Sequence, residues 1–272
     1  MKLTYSRLLL VGALLVAGGF AWKVSSAWQS GQAAPPPHAE PVVVVELFTS
    51  EGCSTCPPAD ALLAKLAEQG LGGARVAALE EHVDYWDDQG WKDPFSSHDW
   101  TERQYAYAAV LGNGNPFTPQ MVVDGSVGFS GGRAQLAVAS ITKAAEQTKA
   151  AVTLSEATAS KPGTESFSVQ VGKVLPSPKG GAAEVWLAIT EKGLQSDVKR
   201  GENAGQELRH AAVVRSLRKI GEAKPDRDVA FSGDANLSLK KEWKPENLQA
   251  VAFVQEKKSL RILGAAEIPV RP

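Results

Sequence analysis

The sequence predicts an α+β protein, with an α/β domain over residues 42–150 followed by an all-β, sandwich-like domain over 151–272. Three observations predict it. An apolar run at Val42–Phe48, an amphipathic segment and a second apolar run from Arg75 follow in the order of a strand–helix–strand crossover. Asp124-Gly125 separates two short apolar runs, which is a hairpin signal. Beyond residue 151 the apolar runs are short, lack helical period and are divided by Gly, Pro, Asn and Asp.

The elements follow in order. Lys2 and Arg7 precede the apolar run Leu8–Trp22, whose 15 residues suit the core of an export signal and are short for a bilayer span of roughly 20. Residues 1–28 are therefore read as a signal peptide or an uncleaved membrane anchor. Either way the folded part would lie in an oxidising compartment, periplasmic or secreted, with tethering to an inner membrane as one form. Residues 29–41, with Pro35-Pro36-Pro37, read as a stiff linker.

Val42–Phe48, interrupted only by Glu46, fits a strand buried on both faces. A helix is predicted from Pro57 to Gln69, with Leu62, Leu63 and Leu66 on its apolar side and Gly70 ending it. A strand at 75–83, a loop at 84–98, a helix at 99–111, hairpin strands at 120–123 and 127–129 and a helix at 133–150 complete the first half. In the second half, strands are predicted at 152–154, 167–171, 185–190, 212–220, 229–231, 237–239, 248–254 and 262–268.

Lys and Arg number 29 against 30 Asp and Glu, so no basic excess marks a nucleic-acid partner. The only two cysteines, Cys53 and Cys56, are three apart, which excludes a multi-bridge scaffold and a four-cysteine zinc site. They lie between a buried strand and a helix start, where backbone N–H groups and the helix dipole favour a thiolate. A redox pair results, with Cys53 attacking a substrate disulfide and Cys56 resolving the mixed disulfide. A structural disulfide or a metal clip are the other uses of such a pair. Desolvation would raise the pKa of Glu46 toward that of a general base, unless it reaches solvent or pairs with a lysine. His82 and Asp84 end the second strand on the edge that carries functional loops. His82 would then be a ligand or acid–base partner, or be satisfied by a neighbouring carboxylate. Two thiolates and an imidazole, Cys53, Cys56 and His82, form a Cu(I) ligand set. Trp86, Trp91, Phe95, Trp100, Tyr105 and Tyr107 are expected to pack the following segment onto the domain. Arg200-Gly201-Glu202-Asn203 and His210 show no catalytic spacing and are assigned no chemistry.

The strand–Cys-x-x-Cys–helix pattern and Thr118-Pro119-Gln120 before Met121–Gly125 resemble thioredoxin and especially glutaredoxin. Longer blocks, Val45–Cys53, His82–Asp87, Gly90–Phe95 and Thr118–Val123, resemble the secreted bacterial family filed as domain of unknown function 1223, strongly over residues 42–132 and weakly beyond. The resemblance implies a thioredoxin-like fold for 42–150, a cis Thr118–Pro119 bond facing the cysteines, and a buried acid near Glu46. Two departures stand out. Pro57-Pro58 moves the helix start past Cys56, and Glu80-Glu81 occupies a stretch where apolar residues are expected.

The function expected from these readings is an exported thiol–disulfide oxidoreductase acting on protein or peptide thiols, its redox-active disulfide serving in place of a cofactor. The alternatives are a periplasmic Cu(I) carrier and a non-catalytic binding module.

Overall fold

The computed structural model describes residues 40–112, 114–159, 164–175 and 181–271. The expected signal or anchor and nearly all of the linker lie outside the described residues. Strand β1 (Val42–Thr49) is wholly buried, as its unbroken apolar run requires. Helix α1 (Pro57–Gln69) starts with Pro57 and Pro58 in its first two positions and Cys56 at its N-cap, so the two prolines set its start as expected. Strand β2 (Arg75–His82) lies parallel to β1, with Leu47 opposite Glu80 and Thr49 opposite His82. Helix α2 (His98–Leu111) is capped by Ser97, whose side chain accepts the Asp99 N–H.

Strands β3 (Gln120–Val123) and β4 (Val127–Ser130) form the predicted hairpin, β3 running antiparallel to β1. Asp124 and Gly125 both have positive φ (45° and 60°), the pairing a tight hairpin turn demands. A Cβ on Gly125 would stand 1.9 Å from the Leu260 carbonyl oxygen, so close approach also requires glycine there. Helix α3 (Ala134–Ala145) buries Ala137 and Ile141 beside α1.

Every described regular element after residue 150 is a strand, apart from one 3-10 turn at Pro245–Asn247. These are β5 (Val152–Ala157), β6 (Thr164–Gly172), β7 (Ala183–Glu191), β8 (Leu194–Asp197), β9 (Glu207–His210), β10 (Val213–Ala223), β11 (Val229–Ser238), β12 (Leu248–Glu256) and β13 (Ile262–Pro269). The pair β8–β9 lies between the strands predicted at 185–190 and 212–220, where no strand is predicted. The larger difference is in how the strands are shared. Four of them extend the first half's sheet, which has eight strands in the order β13-β12-β7-β10-β2-β1-β3-β4. The join is narrow: β10 meets β2 in parallel at Val213 opposite Glu80, with the Glu80 N–H donating to the Ala212 carbonyl at 2.9 Å. It pairs, at Glu80, part of what would otherwise be the open edge of a strand buried at seven of its eight positions.

A smaller sheet, β11-β6-β5, packs Phe167, Val169 and Val171 against Val185, Leu187 and Ile189 of β7 and Ala250, Ala252 and Val254 of β12. That contact is the sandwich-like part of the molecule. The sheet also coils so that the chain around β13 returns to the hairpin, where the Ile262 N–H donates to the Asp124 carbonyl at 2.9 Å. Around β1 and β2 the sheet has two distinct faces. Val43, Val45, Leu47, Val76 and Ala78 meet α1 and α3, while Val44, Leu79 and Phe48 face Trp100 and Tyr107 of α2.

Candidate functional site

Cys53 and Cys56 form a disulfide, Cα atoms 5.4 Å apart. The Cys53 N–H donates to the Ser50 carbonyl, the Cys56 N–H donates to the Cys53 carbonyl, and Cys56 in turn accepts from Ala59 and Asp60 at the head of α1. The pair thus sits in a tight turn feeding a helix N-terminus. Both cysteines are buried, whereas Ser54 and Thr55 between them are exposed.

The Thr118–Pro119 bond is cis. Gly131 packs under Pro119 and Ala59: a Cβ there would lie 3.2 Å and 3.0 Å from their Cβ atoms. Trp86 connects this junction to the cysteine loop. Its Nε1 donates to Thr118 Oγ1 at 2.8 Å, and its Cβ lies where a Cβ on Gly52 would meet it at 3.1 Å. Trp91 Nε1 donates to Glu51 Oε2 at 2.7 Å. These two aromatics therefore hold polar atoms of the loops that carry Cys53 and Pro119, besides packing.

The polar stretch 200–210, assigned no chemistry from its sequence, lies over the disulfide. Glu202 Oε2 accepts from the Ser54 N–H and hydroxyl at 3.1 and 2.7 Å. Asn203, fully buried, donates to the carbonyls of Glu51 and Cys53 at 2.9 and 3.0 Å. Gly201 rests on Trp91, with φ at +80° and no room for a side chain nearer than 3.2 Å to the Trp91 Cβ. No spacing rule links residues 203 and 53; only the fold of the second half brings them together.

Beneath the loop lies a buried polar cluster on the α1 face of β2. Glu80, whose carboxylate spacing within an apolar strand looked anomalous, is its centre. Glu80 Oε2 accepts from the N–H groups of Ala211 and Ala212 at 2.9 and 3.2 Å, and Oε1 meets His210 Nδ1 at 2.7 Å. His210 Nε2 meets Glu51 Oε1 at 3.0 Å. His82 Nδ1 meets Asp93 Oδ2 at 2.7 Å, and its Nε2 lies 3.5 Å from Glu80 Oε1. Burial works against ionising all of these groups. The hydrogen bond from His210 and the His82 ring 3.5 Å away nevertheless overcome it and carry the Glu80 carboxyl well below the usual range. Likewise, burial would lower both imidazoles, but Asp93 and Glu80 raise His82 well above its ordinary value, and Glu51 and Glu80 take His210 to about 9.

Asp60, in the first turn of α1, is a buried acid four residues after Cys56 and was not singled out from the sequence. Its Oδ1 accepts the Thr49 hydroxyl at 2.7 Å. Burial first, and then the Glu80 charge, push it up to about 7 against the opposing pull of Thr49, His82 and His210.

Glu46 lies on the other face of the sheet. It meets Arg103 Nε and the Tyr107 hydroxyl, both at 2.5 Å, and Arg103 Nε also stands 3.4 Å from Glu81 Oε1. Gln255 Nε2 donates to the Tyr107 hydroxyl at 2.8 Å. Burial and the nearby Glu46 charge raise Glu81 well above the carboxylate range, Arg103 opposing them. Adjacent Glu80 and Glu81 thus serve two separate networks, because neighbouring strand residues point to opposite faces. Asp84 is half-exposed and accepts from Thr101 and His98 at 2.6 and 3.1 Å.

No curated protein matches the chain. Two solved structures share its fold over most of its length. Protein AGR_C_4864 of Agrobacterium tumefaciens is 26% identical with a TM-score of 0.61, covering 84% of this chain and 94% of its own. HBP35 of Porphyromonas gingivalis is 17% identical with a TM-score of 0.61, covering 85% of this chain and 76% of its own, a likeness of fold alone. A family model described as protein of unknown function (DUF1223) matches residues 44–255, which takes in the cysteine turn, the cis-proline junction and His210 alike. The chain belongs to that family, whose description names no activity, DUF1223.

Proposed function

We propose that this protein is an exported thiol–disulfide exchange protein, with a thioredoxin-like site, acting on thiols or disulfides of other exported proteins or peptides. The observation that carries this reading is the Cys53–Cys56 disulfide at the head of α1 together with the cis Thr118–Pro119 bond, the two loops tied by Trp86. In the oxidised form a substrate thiolate attacks Cys53, the bond to Cys56 breaks, and Cys56 leaves as a thiolate that takes up a proton. A second substrate thiolate then attacks the mixed disulfide, Cys53 departs, and the substrate is left oxidised by two electrons while the pair becomes a dithiol. Reduction of a substrate disulfide is the same sequence reversed.

The helix N-terminus favours the thiolate of the departing Cys56, and Asp60 is an acid in the same first turn. Because both cysteines are buried beneath residues 200–206, exchange with a protein substrate requires this segment to lift. The Cu(I) reading needs the pair reduced, and His82 Nε2 is directed at Glu80 Oε1, 3.5 Å away.

The test is the reduction potential of the pair, by equilibration in glutathione buffers without metal, joined to a turnover assay on a disulfide-bonded peptide. A reversible two-electron couple between about −120 and −270 mV, with turnover lost in Cys53→Ser, is expected. A pair that stays oxidised under all those buffers, and catalyses no exchange, is a structural disulfide and ends this reading.

A further inference from the structure

The buried cluster under the cysteine loop has a donor geometry that its hydrogen bonds do not complete. His82 Nδ1 faces a carboxylate oxygen of Asp93 at 2.7 Å and must carry the hydrogen there. His210 Nε2 faces Glu51 in the same way at 3.0 Å. Each imidazole is thereby oriented by a carboxylate at its far nitrogen, which is how protein imidazoles are held when the near nitrogen binds a metal. Both near nitrogens, His82 Nε2 and His210 Nδ1, turn toward one atom, Glu80 Oε1, at 3.5 and 2.7 Å.

The His82 Nε2 atom is completely buried and has no hydrogen-bond partner. If either imidazole were neutral, its near lone pair would point at a carboxylate oxygen. If both were protonated, two cationic rings would sit with centroids 4.7 Å apart in a closed interior. One divalent ion in place of the two near protons keeps the same charge against Glu51, Glu80 and Asp93, all buried, and gives both near nitrogens a partner.

We propose that Glu80, His82 and His210 bind one divalent first-row metal ion, with Zn2+ the best fit to two imidazoles and one carboxylate. The three donor atoms lie within 4.8 Å of one another. Tetrahedral Zn2+ with bonds of about 2.0–2.1 Å needs donors ~3.3 Å apart, so a small shift admits the ion. Complete burial keeps substrate away from the ion, and with three protein donors the fourth position would fall to a water. The ion pins β2, the loop through Asp93 and the end of β9 together, beneath the loop that carries Cys53. This site is independent of the redox reading, since it uses neither cysteine.

The test uses the full chain with its disulfide intact, so that no thiolate is available to bind metal. Elemental analysis of the protein as purified, and again after chelation and reloading with Zn2+ or Co2+, should give one ion per chain retained through desalting. The Co2+ form should show visible absorption of a low-coordinate nitrogen–oxygen site without a thiolate charge-transfer band. His210→Asn should lower affinity at least 100-fold. Asp93→Asn, which disturbs the carboxylate oxygen shared by His82 Nδ1 and the Glu51 N–H, should weaken binding about 10- to 100-fold while the protein remains folded by circular dichroism. Absence of a retained ion with either metal, or full affinity in folded His210→Asn, overturns the proposal. Should His210→Asn not fold, the Asp93→Asn affinity decides: unchanged binding there rejects the site.

Discussion

Asp60 shows how burial and neighbouring charge decide what a single carboxyl can do. Its folded pKa, pushed up to about 7 by burial and by Glu80, lies above the unfolded value of 3.8. The native state therefore holds a proton that the unfolded chain releases, and stability falls as pH rises from about 4 to about 7, then levels. In chelator-treated protein, Asp60→Asn keeps an acceptor for the Thr49 hydroxyl and removes that loss. Its stability relative to the parent should accordingly grow across pH 4–7 and stay constant above, as read by urea melts at each pH. A flat difference would place the Asp60 carboxyl near its ordinary value. Arg103 is the opposite case, a cation held between Glu46 and Glu81 and against the rings of Tyr107, Trp186 and Phe253. Arg103→Met leaves two buried carboxyls without their cation and should cost about 3–5 kcal/mol at neutral pH. A loss below about 1 kcal/mol in denaturant melts would show the pair to be solvated.

At the scale of elements, the segment that carries Glu202 and Asn203 sets access to the disulfide. Asn203→Ala removes two hydrogen bonds that hold this segment to the cysteine turn, a loss of about 1.5 kcal/mol at roughly 1 kcal/mol per bond or less. If reduction by a small thiol waits on opening, its rate should rise about tenfold, with a smaller rise in Glu202→Ala, whose contact to Ser54 is exposed. Equal rates in parent and Asn203→Ala, both folded, would mean the disulfide is reached without opening. The elements themselves were largely legible in the sequence. The prolines at 57 and 58, the Asp124-Gly125 turn and the apolar runs act locally, within a few residues of the structure they determine. The site was legible only in part. Cys53, Cys56, Thr118 and Pro119 carry local signals. His210, Asn203 and Asp60 acquire their roles from partners on other elements, 130 residues away for His210 and Glu80. One signal was present in the chain: two adjacent glutamates inside a buried strand need a partner on each face, and Glu80 and Glu81 have one on each.

At the scale of the molecule, the first half does not carry its own interior. Strand β2 is buried at seven of eight positions, and β10 joins its edge at Glu80. Glu80 relies on His210 and the N–H groups of Ala211 and Ala212, while the Tyr107 hydroxyl beside Glu46 also bonds to Gln255. Truncation after residue 150 would strip these partners at once. It would leave buried or half-exposed carboxylates along an open strand edge, and each orphaned polar group costs about 1–3 kcal/mol. Against a typical domain stability of about 5–15 kcal/mol, several such losses together exceed what the remaining core supplies. A chain of residues 40–150 should therefore fail to fold, with no cooperative thermal transition and poor amide dispersion in nuclear magnetic resonance spectra, whereas residues 40–272 should melt in one step. If 40–150 instead gave a dispersed spectrum and a cooperative melt, the first half would be self-sufficient, and β10 with His210 would be an attachment rather than part of its core. The join between β2 and β10, together with the Asn203 contacts to the cysteine turn, predicts the first outcome.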